Sequence, residues 1–297
     1  MKMQYISQYR EVAALQPRSV RSSLRSGALS ALHLKERLLR ASNTALRVPR
    51  VQLLFLHHIF EDEMEPFDRL LRELAQTHVF VSHSEAVRRI LAGENDEPCI
   101  SFSSDDGLKN NLHAAEILER YGATACFYIN PNSIGLSKYE QVESFCRTRL
   151  EFPPAEFLDW NDVEGLQARG HEIGAHTMGH INVAETPIRE FREDLERSRE
   201  VLLSRCGAAR HFAYPYGRFF HFIKEAMAEV FEAGFESCAS AERGCHTCAR
   251  PVAKDQLLLR RDQIVAGWPL AHNMYFIRRN ARLRHLASDE WPRVIGR

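Results

Sequence analysis

Apolar residues along this chain fall into short unbroken runs, separated by segments in which they recur every three or four positions. Residues 51–57 (VQLLFLH) form the first run, of the kind that a strand buried on both faces requires. Residues 66–76 follow, with Leu70, Leu71 and Leu74 on one helical face. Residues 79–81 read as a short strand, and Ser82-His83-Ser84-Glu85 has the form of a capping box opening a helix to about Leu91. The alternation continues with a strand at 99–103, a helix at 111–121 stopped by Gly122, and a strand at 123–129. A helix capped by Asn161 and ending at Gly170 precedes a strand at 172–176, and a long amphipathic helix at 187–206 precedes one at 211–214. A helix at 222–233, a strand at 235–239 and a last strand at 257–265 complete the pattern. Residues 130–158 fit neither period, and an excursion of that length commonly rims a site. Strands spaced by helices predict an α/β fold with a parallel sheet inside and helices outside. In such a closed or nearly closed barrel, chemistry gathers at the carboxyl ends of the strands.

Composition adds limits. A chain of 297 residues, 44% hydrophobic, can bury one barrel-sized core or two smaller ones. Its 39 basic and 39 acidic residues cancel, so no global field invites nucleic acid. The charge is uneven, however: residues 1–50 hold ten Lys and Arg against Glu11 and Glu36. The expected division is a basic helical preface at 1–50, a main domain at 51–265 and a tail at 266–297. Within the preface, Leu34, Arg37, Leu38, Leu39 and Arg40 recur at helical spacing. Such a segment either caps the main domain or lies peripherally on anionic membrane. No apolar run reaches spanning length, and none follows Met1 as a secretory signal would require. Seven scattered cysteines agree with a reducing compartment, so a cytoplasmic location is expected. Cys245-His246-Thr247-Cys248 lacks a second pair and reads as a loop with incidental thiols.

The candidate chemistry sits just after two of the predicted strands. Asp105 and Asp106 end Ser101-Phe102-Ser103-Ser104-Asp105-Asp106-Gly107, and His176-Thr177-Met178-Gly179-His180 follows some seventy residues later. Asp-Asp-Gly alone is also an ordinary turn. Taken with two imidazoles four residues apart, it supplies a three-ligand metal site of Asp106, His176 and His180 with positions open for water and substrate. The four-residue spacing places both histidines on one face if residues 177–180 begin a helical turn. Adjacent carboxylates repel, and a cation on Asp106 relieves this while leaving Asp105 as a proton acceptor. The same two-His, one-carboxylate set serves non-haem iron oxygenases, but dioxygen chemistry has no use for the second Asp.

These pieces, in this order, resemble the polysaccharide deacetylases (carbohydrate esterase family four) over roughly residues 51–265. The motifs are Ser103-Ser104-Asp105-Asp106-Gly107, His176-Thr177-Met178-Gly179-His180 within Gly170-His171-Glu172-Ile173-Gly174-Ala175-His176, and Phe212-Ala213-Tyr214-Pro215-Tyr216-Gly217. The resemblance implies a distorted, incomplete (β/α) barrel. It implies Asp105 as base, Asp106, His176 and His180 as metal ligands, and the Tyr216 main-chain amide as an oxyanion donor. Leu56-His57-His58-Ile59 is similar to an element of one branch of the family. Two departures matter. Ala213 replaces the Arg that orients the base in the family, and Arg260 or Arg261 is the substitute at hand. The late apolar-x-His motif that supplies the catalytic His is absent, which leaves His57 and His58 as the candidates.

The reading is therefore a metal-dependent hydrolase removing an N-acetyl group, or failing that an O-acetyl or formyl group, from a sugar, polysaccharide or glycolipid precursor. One divalent transition metal is implied, zinc first, with iron, manganese, cobalt and nickel also compatible with Asp and His ligands. The alternatives are an inactive glycan-binding homologue and a carbon–nitrogen hydrolase acting on a small non-sugar amide. Nothing in the chain sets an oligomeric state.

Overall fold

The computed structural model describes residues 4–15, 27–32, 35, 45–247 and 250–282. Nine strands occur among them: β1 (Arg50–Leu56), β2 (Val79–Phe80), β3 (Pro98–Ser104), β4 (Ala125–Ile129), β5 (Glu172–Ala175), β6 (His211–Ala213), β7 (Ser237–Ala239), β8 (Leu258–Leu259) and β9 (Arg261–Gln263). The helices are α1 (Tyr9–Leu15), α2 (Met64–Leu74), α3 (His83–Ala92), α4 (Asn111–Glu119), α5 (Tyr139–Arg149), α6 (Trp160–Ala168), α7 (Ile188–Cys206), α8 (Lys224–Glu232) and α9 (Leu270–Arg282). All strand pairs are parallel, in the order β8-β7-β6-β5-β4-β3-β1-β9, with β2 beside β3.

The period of two along each strand produces two cores from one sheet. Leu54, Leu56, Ile100, Phe102, Phe127 and Ile129 face outward, where Phe67, Leu70 and Leu74 of α2 and Phe191 and Leu195 of α7 cover them. Val51, Leu53, Cys99, Cys126, Tyr128, Ala213 and Ala239 face inward and fill the interior. Burial on both faces explains the unbroken apolar runs of β1 and β4.

The expected last strand is two. Leu258 and Leu259 pair with β7 at one edge of the sheet, while Arg261 to Gln263 pair with β1 at the other. One short segment thus links both edges, and the sheet nearly closes into a barrel. Beside the first residues of β1 the seam is filled differently, by a bridge in which Val51 and His246 exchange backbone hydrogen bonds of 2.9 and 2.8 Å. Cys245 is buried in this plug and Cys248 lies outside the described residues.

Three further expectations need amending. The cap of α6 is Asp159, whose carboxylate accepts from Asp162 N–H at 2.8 Å while its own N–H donates to the Asp162 carboxylate at 3.0 Å, rather than Asn161. The excursion at 130–158 contains α5, whose inner face carries Val142 and Cys146. Residues 177–180 form a turn, not the start of a helix, because Thr177 and His180 take left-handed φ of 62° and 55°.

The first helix of the preface, α1, packs near the carboxyl ends of the strands. Asp62 caps α1 through Tyr9 N–H at 2.7 Å and Arg10 N–H at 3.1 Å, and Tyr9 stacks on His58 at 5.8 Å. Leu34, Arg37, Leu38, Leu39 and Arg40 lie outside the described residues. Beyond residue 265, α9 sends Met274 and Ile277 into the outer core. No helix among the described residues is long and apolar enough to cross a membrane.

Candidate metal centre

A cavity of about 400 Å³ opens at the carboxyl ends of the strands. Every residue assigned to the site from sequence lines it: His57 after β1, Asp105 and Asp106 after β3, His176 and His180 after β5, and Tyr216 after β6. Four of these motif residues or their neighbours have left-handed backbones: Asp106 (φ 75°), Thr177, His180 and Tyr216 (φ 62°). For a non-glycine residue this costs about 1 kcal/mol or more apiece, and such strain collects where function fixes a geometry. Gly217 completes the third motif for a steric reason. At its φ of 63°, an added Cβ would lie 2.3 Å from Ala241 Cβ and 2.7 Å from Ala241 N.

Asp106, His176 and His180 bring one ligand atom each within 4.8 Å of one another. Asp106 Oδ1 stands 3.5 Å from His176 Nε2 and 3.4 Å from His180 Nε2, and it makes no hydrogen bond although buried. His176 Nδ1 lies 2.6 Å from the Ala213 carbonyl oxygen, so it carries the proton and Nε2 turns its lone pair toward Asp106. Converging acceptors that do not satisfy each other fit a cation. Burial pushes the His176 pKa down, but the Asp106 and Asp105 carboxylates outweigh it and hold it above its ordinary value. The same negative field would favour a metal.

The loop carrying both histidines is clamped from below. Asn130, one residue beyond β4, donates Nδ2 to the carbonyls of His176 and, at 3.1 Å, Thr177. Asp194 on α7 accepts Met178 N–H at 2.9 Å. Burial raises the Asp194 pKa to about 6, partly offset by that N–H. Sequence reading missed both residues. The available signals were a polar residue ending a strand and an acid three residues beyond Phe191 on the apolar face of α7.

Asp105 is held apart from the ligands. Arg261 donates to both its oxygens, at 2.7 and 2.9 Å, and also to Ser103 Oγ and the Ser240 carbonyl. Burial would raise the Asp105 pKa, but the guanidinium overrides this and holds it below its ordinary value. Arg261 therefore occupies the place left empty by Ala213. Arg260 points the other way, over the Phe219 ring at 4.9 Å.

The two candidate histidines separate. His57 is half-buried against the cavity, 3.4 Å from Gln263 Nε2, and its backbone carbonyl is fixed by Asn111. Burial lowers its pKa, with Asp106 and Asp105 opposing. His58 also reaches the cavity, but Nδ1 sits 2.7 Å from Glu63 and its ring packs on Tyr9, Phe60 and Phe152. Its surroundings are those of a brace. Tyr216 sets its ring 4.7 Å from His180 and donates its hydroxyl to the Arg149 carbonyl at 3.1 Å.

Residues 92–235 match the family model described as polysaccharide deacetylase. The fold is similar to that of IcaB from Ammonifex degensii, with a TM-score of 0.58 and 18% identity over 77% of this chain and 97% of that one. It is similar to BC0361, a polysaccharide deacetylase from Bacillus cereus, with a TM-score of 0.59 and 18% identity over 77% and 69%. The deacetylase PplD of Streptococcus pyogenes gives 0.56 and 15% over 76% and 96%. The family match spans the carboxylate and histidine motifs, and the barrel, similar in fold to these deacetylases, places them at one mouth.

Proposed function

We propose that the protein is a metal-dependent deacetylase that removes an N-acetyl group from a sugar, polysaccharide or glycolipid precursor. The observation that carries this is the juxtaposition of an unsatisfied Asp106, His176 and His180 cluster with a second carboxylate, Asp105, held by Arg261. One divalent transition metal, zinc first, on Asp106, His176 and His180 would polarise the acyl carbonyl and acidify water. Asp105, kept ionised by Arg261, takes the proton of the attacking water. The left-handed backbone at Tyr216 presents its main-chain N–H to the developing oxyanion, a contribution typically of about 3 kcal/mol per donor. His57 supplies the proton to the leaving nitrogen. The cavity volume suits one sugar unit with its acyl group. Similarity in fold to a de-N-acetylase of Aggregatibacter actinomycetemcomitans, at 16% identity, accords with amide rather than ester cleavage. The test is acetate release from a panel of N-acetyl sugars, sugar nucleotides and lipid-linked sugars, with metal content measured on the same sample. A fully metal-loaded protein that releases acetate from none of them overturns the reading.

A further inference from the structure

We infer that the N-terminal segment at residues 4–15 is part of the substrate site. Within it Tyr9, seated in a notch opened by Gly267, positions His58 and Phe152, the stretch of cavity wall against which the apolar face of the acylated sugar rests. The inference rests on the deacetylase reading for its substrate and names the residues that set the fit. Tyr9 and Gly267 are positioning residues, acting through the wall and not on the reacting atoms.

Stretches far apart in sequence meet at this wall. Tyr9 stacks on His58 with ring centroids 5.8 Å apart, and His58 stacks in turn on Phe152 at 5.7 Å. His58 and Phe152 line the cavity, whereas Tyr9 stands behind them. The histidine is held by the fully buried Glu63, whose Oε2 lies 2.7 Å from Nδ1 and whose Oε1 accepts Gly267 N–H at 2.8 Å. One carboxylate therefore fixes both the ring that Tyr9 covers and the residue that makes room for Tyr9. Gly267 is needed for space and not for backbone freedom, since its φ is not left-handed. A Cβ added there would lie 2.7 Å from Tyr9 Cγ and closer still to two other ring carbons.

The segment also grips the excursion directly. Ile6 N–H donates to the Pro154 carbonyl at 2.9 Å, and the Tyr5 ring lies 5.3 Å from that of Tyr139. Tyr5 and Ile6 pack on the buried cluster of Leu108, Val142 and Phe157 that Leu150 and Phe152 also join. Leu108, one residue beyond the Asp-Asp-Gly motif, bridges to Phe157, and Leu158 N–H bonds the Gly107 carbonyl at 2.9 Å. The wall is thus held between the carboxylate loop and the N-terminal segment. A wall of this kind touches substrate and transition state alike, so loosening it raises KM more than it lowers kcat.

The experiment uses the metal-loaded full chain with N-acetylglucosamine oligomers as substrate. Tyr9→Ala and Gly267→Ala should each raise KM about fivefold to tenfold, the worth of one aromatic contact, with a smaller change in kcat and no loss of metal. Tyr9→Phe should restore KM, because its ring fills the same notch. The double variant should be no worse than Tyr9→Ala alone, since the added methyl then enters the space that the ring has left. Hydrogen exchange at residues 145–157 should quicken in Tyr9→Ala, with exchange at 176–180 unchanged. Gly267→Ala stands in for Tyr9→Ala if the latter loses melting temperature. An unchanged KM in both single variants, or a Gly267→Ala penalty just as large once Tyr9 is gone, overturns the inference while leaving deacetylation intact. If no oligomer releases acetate, the deacetylase reading falls by itself; the exchange measurement then decides the wall, and exchange at 145–157 indifferent to Tyr9 overturns its positioning role.

Discussion

The barrel holds two buried clusters built from the same residue types, one at each end. At the carboxyl ends of the strands stand Asp106, His176 and His180; near the opposite ends stand Glu172, His211 and His83. The second set is nearly closed, with His83 Nδ1 alone of its ring and carboxylate atoms lacking a hydrogen-bond partner among the described residues. Glu172 accepts Ser84 N–H at 2.9 Å and the Ser84 hydroxyl, and lies 3.2 Å from His211 Nε2. His211 Nδ1 meets Ser237 at 2.9 Å, and His83 Nε2 meets the Tyr128 hydroxyl at 2.8 Å. These residues have right-handed or extended backbones, and they do not line the cavity. At the mouth, the atoms converge without bonding, four motif residues are strained, and a cavity opens beside them. Two histidines and a carboxylate therefore say little by themselves. What separates a binding centre from a structural plug is whether the donors and acceptors are already spent on one another.

The strongest way to break this comparison is to remove a histidine from each end. His180→Ala should lose the metal, falling from about one ion per chain, whereas His211→Ala should keep it and lose stability instead. Elemental analysis and urea titration of both variants decide; full metal occupancy in the double variant lacking His176 and His180 would refute the centre. Next in size is the base. Asp105→Asn should retain the ion and lower turnover by roughly 10²–10⁴. Arg261→Lys should shift the acid limb of the pH–rate profile upward, because the guanidinium is what holds Asp105 low. A profile unmoved in Arg261→Lys means that Asp105 is not the titrating base.

Smaller again is the clamp beneath the histidine loop. Asp194→Ala should weaken metal affinity by about 10–100-fold, the range for groups that orient ligands, as read by competition with a chelator. The smallest effect belongs to the plug. Burial would raise the Glu172 pKa, but His211, His83 and Ser84 outweigh it and hold it near 2. Its folded value lies below the ordinary carboxylate value of 4.5, so its contribution is complete above about pH 4.5 and drains away as pH falls toward 2. Glu172→Gln should cost about 1–3 kcal/mol at neutral pH and show a shallower acid slope in urea unfolding between pH 5 and 3. An identical slope would show that the plug is not what titrates there.

The mouth was readable in the chain because each of its motifs is a local run at a strand end, where Asp-Asp-Gly or His-x-x-x-His appears whole. The alternation of buried strands and amphipathic helices was readable for the same reason, since burial imposes its period residue by residue. The plug was not: Ser84, Glu172 and His211 lie far apart in sequence and meet only once the barrel closes. Arg260 and Arg261 show the limit most sharply. Neighbours in an extended segment face opposite sides, so choosing between them requires knowing where the short edge strand that begins at Arg261 starts and how it registers, which pairing with β1 decides and local pattern does not. The helix Tyr139–Arg149 escaped because its two buried residues are diluted by nine others facing solvent or partly covered.

The segment from Leu258 to Gln263 has a consequence for the order of events during synthesis. A growing chain that has not yet reached it owns both motif loops and all three ligands, yet its sheet has two raw edges and Asp105 has no cationic neighbour. On the proposed reading, ion capture can therefore precede competence. The last keystone to enter the arch would also be the residue that prepares the proton acceptor, so a half-finished or seam-opened molecule would hold a captured ion while its chemistry stays switched off.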